Sequence, residues 1–212
     1  MSGSLSEYVH HLCRLMLGAG VTVRHGKAIS LDAGAALVVE MVRAVKASRG
    51  KVLVVGNGGS AAMASHFQND LAKAVGLRAM VFDSSSLLTA IANDDGYERV
   101  FERPIAQWAE DGDLLFAISS SGASPNILRA VRVARQRGCK IVSLSGFEPA
   151  NPLRELGDVN FYVERDEYGL VETSHAVILH YLTDRVMALE QKDAISDGAS
   201  LSGWMAAELP LT

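Results

Sequence analysis

The run "KVLVVG" (51–56) is apolar without alternation and stops at a glycine. That pattern marks a strand buried on both faces. Four more short runs share the form: "RAMVFD" (78–83), "DLLFAIS" (113–119), "KIVSLSG" (140–146) and "VNFYVE" (159–164). Between them apolar residues recur three and four positions apart. This predicts helices over 60–74, 87–92, 98–109, 125–137 and 170–190. Ahead of the first strand the same spacing predicts a helix over 5–23, with a stripe of Tyr8, Val9, Leu12, Cys13 and Met16. A second is predicted over 30–48, with Ser30 as its N-cap. Strands alternating with helices imply an α/β fold, a parallel sheet covered on both faces, with ligands at the carboxyl ends of its strands. The expected organisation is one domain over 1–191, with N-terminal helices (1–49) and an α/β core (50–191). A tail of small and polar residues (192–212) follows.

A chain of 212 residues, 49% hydrophobic, suits one such domain. The formal net charge of −4 leaves no basic footprint for nucleic acid or for an anionic membrane. No apolar run spans a bilayer, and "MSGSLSEYVHHL" lacks the basic-then-apolar order of a signal peptide, so a cytoplasmic location is expected. Cys13 and Cys139 lie far apart and outside any CxxC pattern; both are expected to be reduced and packed.

Two loops stand out. In "GNGGSA" Gly56, Gly58 and Gly59 precede Ser60 and Ala61. This is neither the dinucleotide fingerprint nor a P-loop, although Asp83 follows at about the distance of a ribose-binding acid. The glycines let backbone approach a ligand, a helix from Ser60 would aim free N–H groups at it, and Asn57 and Ser60 add hydrogen bonds. The plainer reading is a tight turn capped by Ser60. The second loop, "SSSGASPN" (119–126), carries Ser119, Ser120, Ser121 and Ser124. Ser124 suits an N-cap and Pro125 the first helical position. Serine hydroxyls around a helix N-terminus make a phosphate site without a cation. Two such loops on one parallel sheet point to a phosphorylated small molecule.

His66 and Asp70 share a helix face at i, i+4. Glu172 and His180 are linked through Ala176 on the last helix. Two imidazoles and two carboxylates suit a divalent metal such as zinc, or proton transfer. His175 falls on another face and reads as structural; His10, His11 and His25 have no partner pattern.

The segments "GNGGSAAMASHFQNDL", "LTAIANDDGYERVF", "ISSSGASPNIL" and "VETSHAVILH" together resemble the SIS (sugar isomerase) family. Within it they resemble the phosphoheptose isomerases, which convert sedoheptulose 7-phosphate to D-glycero-D-manno-heptose 7-phosphate. The resemblance covers about residues 5–190. It implies a five-stranded parallel sheet, N-terminal helices used in assembly, and a homotetramer with active sites between subunits. It also implies that Ser119, Ser120, Ser121 and Ser124 hold the phosphate. Asn57, Gly58, Ser60 and Asp94 fall in ligand-contacting motifs, and His180 matches a catalytic histidine. His66 matches a metal ligand where the family binds zinc. Asp70 stands where the family has a catalytic glutamate, and Glu172 where it has a glutamine that binds zinc and substrate. Ala74 replaces a basic residue, with Lys73 beside it, and Gly169 replaces an aspartate that contacts sugar. On this reading Asp70, Glu172 and His180 are the catalytic set, and His66, Asp70, Glu172 and His180 the metal set. The DnaA initiator-associating proteins share nearly all these motifs, so a non-catalytic module that binds a protein partner or senses a sugar phosphate is the alternative.

Overall fold

The structure, a computed structural model, describes residues 3–196; residues 197–212 of the expected tail lie outside them. The chain runs α1 (Leu5–Leu17), β1 (Gly20–Val23), β2 (Lys27–Ile29), α2 (Leu31–Ala47), β3 (Val52–Gly56), α3 (Gly59–Lys73), β4 (Ala79–Val81) and α4 (Ser85–Asp95). It continues through α5 (Glu102–Trp108), β5 (Leu114–Ser119), α6 (Pro125–Gln136), β6 (Lys140–Gly146), α7 (Pro152–Leu156), β7 (Val159–Val163) and α8 (Tyr168–Ser196). The seven-stranded sheet has the order β2-β1-β7-β6-β5-β3-β4. The five strands β3 to β7 are parallel, as expected, while β1 and β2 add an antiparallel hairpin against β7. The sheet is therefore larger than five strands. The helix expected over 5–23 ends at Leu17, where Gly18 caps it, and Val21-Thr22-Val23 enters the sheet instead. β-Branched residues pack well on a pleated surface, and here a strand partner is available to them.

β3 and β5 are buried at every position. One core layer joins α2, α3 and α8 to one face of the sheet, with Phe67 of α3 set edge-on against Phe116 of β5 at 4.8 Å between centroids. The opposite layer joins α5, α6 and α7 to the other face through Ile105, Ile127, Val131 and Leu153. The chain leaves β3 toward β4 at one edge and then returns to β5 on the other side of β3. The switch point of this topology lies between β3 and β5, so the crevice at their carboxyl ends is where ligands are expected. Both sequence-marked loops start there.

α1 carries a capping box, with Glu7 N–H donating to Ser4 Oγ and Ser4 N–H to Glu7 Oε2, yet it buries no side chain. Leu5, Val9 and Leu17 are exposed along it. Cys13 is exposed as well, not packed as expected, whereas Cys139 is buried and burial pushes its thiol up to about 12. Both thiols are free. α8 continues through Ser196, so residues 192–196 of the expected tail are helical. No helix among the described residues is long and apolar enough to cross a membrane.

His175 of α8 is fully buried, with Nε2 3.1 Å from the Ser145 carbonyl and Nδ1 without a hydrogen-bond partner. This bears out the structural reading of that residue. Burial lowers its pKa from 6.5 to about 4, against a smaller raising effect of the Ser145 carbonyl. The folded state thus holds His175 neutral where the unfolded chain would protonate it. Its stabilising contribution is complete above pH 6.5 and is lost as pH falls toward 4. By pH 5 the loss amounts to about 2 kcal/mol. Urea unfolding at pH 7 and pH 5 should show that drop, and His175→Gln should flatten it. An equal drop in both proteins would place the acid sensitivity elsewhere.

Candidate active site

The first loop leaves β3 at Gly56 and turns at Gly58, whose φ of 54° and ψ of −122° suit glycine alone. Gly58 is the N-cap of α3, and the helix begins at Gly59, so Ser60 is not the cap; it is a buried first-turn residue. The first turn of α3 points its N–H groups into the crevice.

The second loop leaves β5 at Ser119, and Ser124 is the N-cap of α6 with Pro125 at its first position, as the sequence reading expected. The Ser124 carbonyl accepts from Ile127 and Leu128 N–H, while its hydroxyl makes no capping bond and lies 3.5 Å from Ser119 Oγ. Ser121 Oγ accepts from Ala123 N–H at 3.3 Å. Ser119 and Ser120 are both 5% exposed, and Ser120 Oγ is a buried hydroxyl without a partner. A buried hydroxyl left unpaired costs free energy that a ligand can recover. Gly122 holds the turn at φ 61° and donates its N–H to the Ser119 carbonyl.

The loops are tied together. Asn57 Nδ2 donates to Asn126 Oδ1 at 3.0 Å, and Asn126 Nδ2 donates back to Asn57 Oδ1 at 2.8 Å. Tyr97 Oη donates to the same Asn57 oxygen at 3.2 Å. Asn126 and Tyr97 were not singled out from the sequence. Their roles arise from pairing across the β3–β5 boundary, which no local spacing encodes. Asp94 lies exposed at the end of α4, accepting from its neighbour Asn93.

The histidines and carboxylates sort into two groups. α3 and α8 pack side by side, and His66, Asp70 and His180 meet between them. Asp70 Oδ2 lies 3.4 Å from His66 Nε2 and 3.6 Å from His180 Nδ1, and the two rings meet edge-on at 5.0 Å. They line a cleft of about 370 Å³ with Ala62, Met63, Phe67, Ala176 and Leu179. One ligand atom from each of the three residues lies within 4.8 Å of the others. Two imidazoles and a carboxylate are the donor set of a catalytic zinc with an open fourth position, and small side-chain rotations would close them on an ion.

Glu172, the fourth residue of the expected metal set, lies apart from this trio within one chain. Eight residues of helix separate it from His180, about 12 Å of axial rise. Its carboxylate instead overlies Gly59, within 2.4–2.6 Å of where a Cβ there would be, at the positive end of α3. Gly169 lies against the Tyr8 hydroxyl of α1, and Lys73 is exposed at the far end of α3.

This fold, with its switch-point serine loop, defines a class of phosphosugar-handling domains. Residues 22–146 match the family model described as SIS domain, more than half of the chain, and the chain belongs to that family. Within it the chain belongs to the phosphoheptose isomerases. It is 39% identical to the phosphoheptose isomerase of Helicobacter hepaticus over 142 residues, 64% of this chain and 71% of that one. To the phosphoheptose isomerase of Bordetella avium it is 36% identical over 160 residues, 71% and 81% of the two chains. The solved structure of phosphoheptose isomerase from Neisseria gonorrhoeae superposes with a TM-score of 0.75 at 26% identity, covering 87% of this chain and 97% of that one. The chain is accordingly a sugar-phosphate isomerase by family.

Proposed function

We propose that this protein interconverts sedoheptulose 7-phosphate and D-glycero-D-manno-heptose 7-phosphate. The observation that supports this most is the Asp70 carboxylate held between two imidazoles on a fold that also carries a buried, unpartnered Ser120 hydroxyl in its serine loop. Aldose–ketose isomerisation moves one proton between adjacent carbons and another between their oxygens, through an enediol. Ser119, Ser120, Ser121 and Ser124, with the α6 N-terminus, grip the phosphate at the far end of the sugar. That remote grip fixes the reacting carbons against the α3–α8 cleft. Asn57, Gly58, Ser60 and Asp94 complete the sugar subsite. One carboxylate removes the proton from the carbinol carbon and returns it to the neighbouring carbon. His180 carries the second proton between the two oxygens.

His66, Asp70 and His180 would hold zinc, which would polarise the carbonyl oxygen. A carboxylate bound to metal is not free to take a proton. The metal-free site therefore assigns the base to Asp70; in the metal-loaded site Glu172 is the remaining carboxylate of the catalytic set, and it would have to reach the reacting carbons from the Gly59 side. The unburied apolar face of α1 supports self-association, and the assembly proposed is a cytoplasmic homotetramer with active sites between subunits.

The test is turnover of sedoheptulose 7-phosphate followed by NMR, with zinc and with chelator. Formation of the aldose is the expected result. No conversion under any metal condition would reject the heptose reading and favour a binding-only module. Light scattering should give four times the chain mass, and a monomer mass would reject the tetramer.

A further inference from the structure

We infer that Asn126 is a positioning residue that sets the orientation of the Asn57 amide and clamps the glycine loop to the serine loop; this rests on the isomerase reading above. Asn126 is 2% exposed in the first turn of α6, and Asn57 directly follows β3. The chain of hydrogen bonds has one fixed start. Ile127 N–H donates to Asn126 Oδ1 at 3.0 Å. This N–H, shared with the Ser124 carbonyl at 3.1 Å, can only donate, so the oxygen of the Asn126 amide faces it and the Asn126 nitrogen faces the other way. That nitrogen then donates to Asn57 Oδ1, while Asn126 Oδ1 accepts from Asn57 Nδ2.

Asn57 is thereby oriented as well. Its oxygen has two lone-pair sites, and Asn126 Nδ2 and Tyr97 Oη take both. Its nitrogen has two hydrogens, and Asn126 takes one. What remains of the Asn57 amide toward the crevice is one N–H donor with a set direction. Asn57 therefore meets the sugar phosphate as a donor only, with no acceptor to offer a hydroxyl. Tyr97 is 58% exposed at the rim of the crevice, so its hydroxyl holds the pair from the solvent side. The pair also bridges adjacent parallel strands, since Gly56 is in register with Ile118. Opening it would let the N-termini of α3 and α6 drift apart, and the two sets of donors would no longer converge on one ligand.

A double-mutant cycle on Asn57→Ala and Asn126→Ala tests this, read by KM, kcat and calorimetric affinity for inorganic phosphate. Each single variant should raise KM by roughly tenfold, and kcat should change less. The double variant should be no worse than the more affected single one, because either change opens the same pair. Tyr97→Phe should raise KM by about threefold and leave the melting temperature unchanged, since it deletes one exposed hydroxyl. Additive effects of Asn57→Ala and Asn126→Ala would overturn the clamp. So would a fall in melting temperature with KM and phosphate affinity intact. Phosphate affinity separates the two readings: coupling there without turnover by any protein rejects the isomerase and keeps the clamp.

Discussion

Asp70→Asn should lower kcat by about 10²–10⁴-fold with the fold intact. The substitution keeps the shape of the side chain and removes its charge. Asp70 touches two histidines at the cleft and is only partly buried, so the hydrophobic layer beneath is not disturbed. The loss arises whichever role the carboxylate plays, since a neutral amide neither takes a carbon-bound proton nor ligates zinc strongly. Glu172→Gln separates the roles. If Asp70 is the base, Glu172→Gln retains most of the turnover, because Glu172 overlies Gly59 rather than the histidines. If Asp70 holds metal, Glu172→Gln falls as far as Asp70→Asn. Activity of Asp70→Asn within a few-fold of the parent protein would remove Asp70 from the chemistry. Kinetics with and without chelator, beside a thermal melt, decide among these outcomes.

Gly122→Ala should destabilise the protein by about 2–5 kcal/mol, combining the cost of a left-handed residue with that of overpacking. The residue sits at φ 61°, and a Cβ there would come within 2.0 Å of Asn151 Oδ1. Asn151 cannot retreat cheaply. Its Nδ2 donates to Ser145 Oγ and to the carbonyls of Gly146 and Glu148, and its Oδ1 caps α7 by accepting from Arg154 N–H. The Gly122 carbonyl also accepts from Leu153 N–H. A methyl group therefore moves the serine loop and the strand end together. A fall in melting temperature of about 5–15 °C is expected, with phosphate affinity reduced in the surviving fold. A melt within 2 °C of the parent, a margin taken as roughly half a kcal/mol, would show that the loop yields freely.

The fully buried strands were the easiest part to read. β3 and β5 are continuous apolar runs ending in glycine or serine, and their context leaves them one assignment. The hairpin of β1 and β2 was hidden because Leu15, Met16 and Leu17 run straight into Val21 and Val23. The apolar spacing continues past Gly18, and only tertiary pairing with β7 decides where the helix ends. α7 is five residues long, too short for periodicity to show, although Asn151 and Pro152 spell its cap. In the site, the serine loop and the His66–Asp70 pair follow from local spacing. Glu172 stands apart from them within one chain, because angular agreement on a helix says nothing about distance along its axis. Asn126 could not be found at all, since its partner lies 69 residues away in sequence.

The serine loop proposed to grip phosphate and the groups proposed to handle protons are housed on different elements: β5 and α6 for the first, α3 and α8 for the second. Substitutions on the facing surfaces of α3 and α8 can thus re-aim the chemistry without loosening the anchor. Asp70, Ala74, Gly169 and Glu172, where this chain parts from the pattern it otherwise resembles, all lie on those two helices or at the C-cap of α3. Divergence has a permissive side in this architecture, and a chain can trade one sugar for another while keeping the same handle.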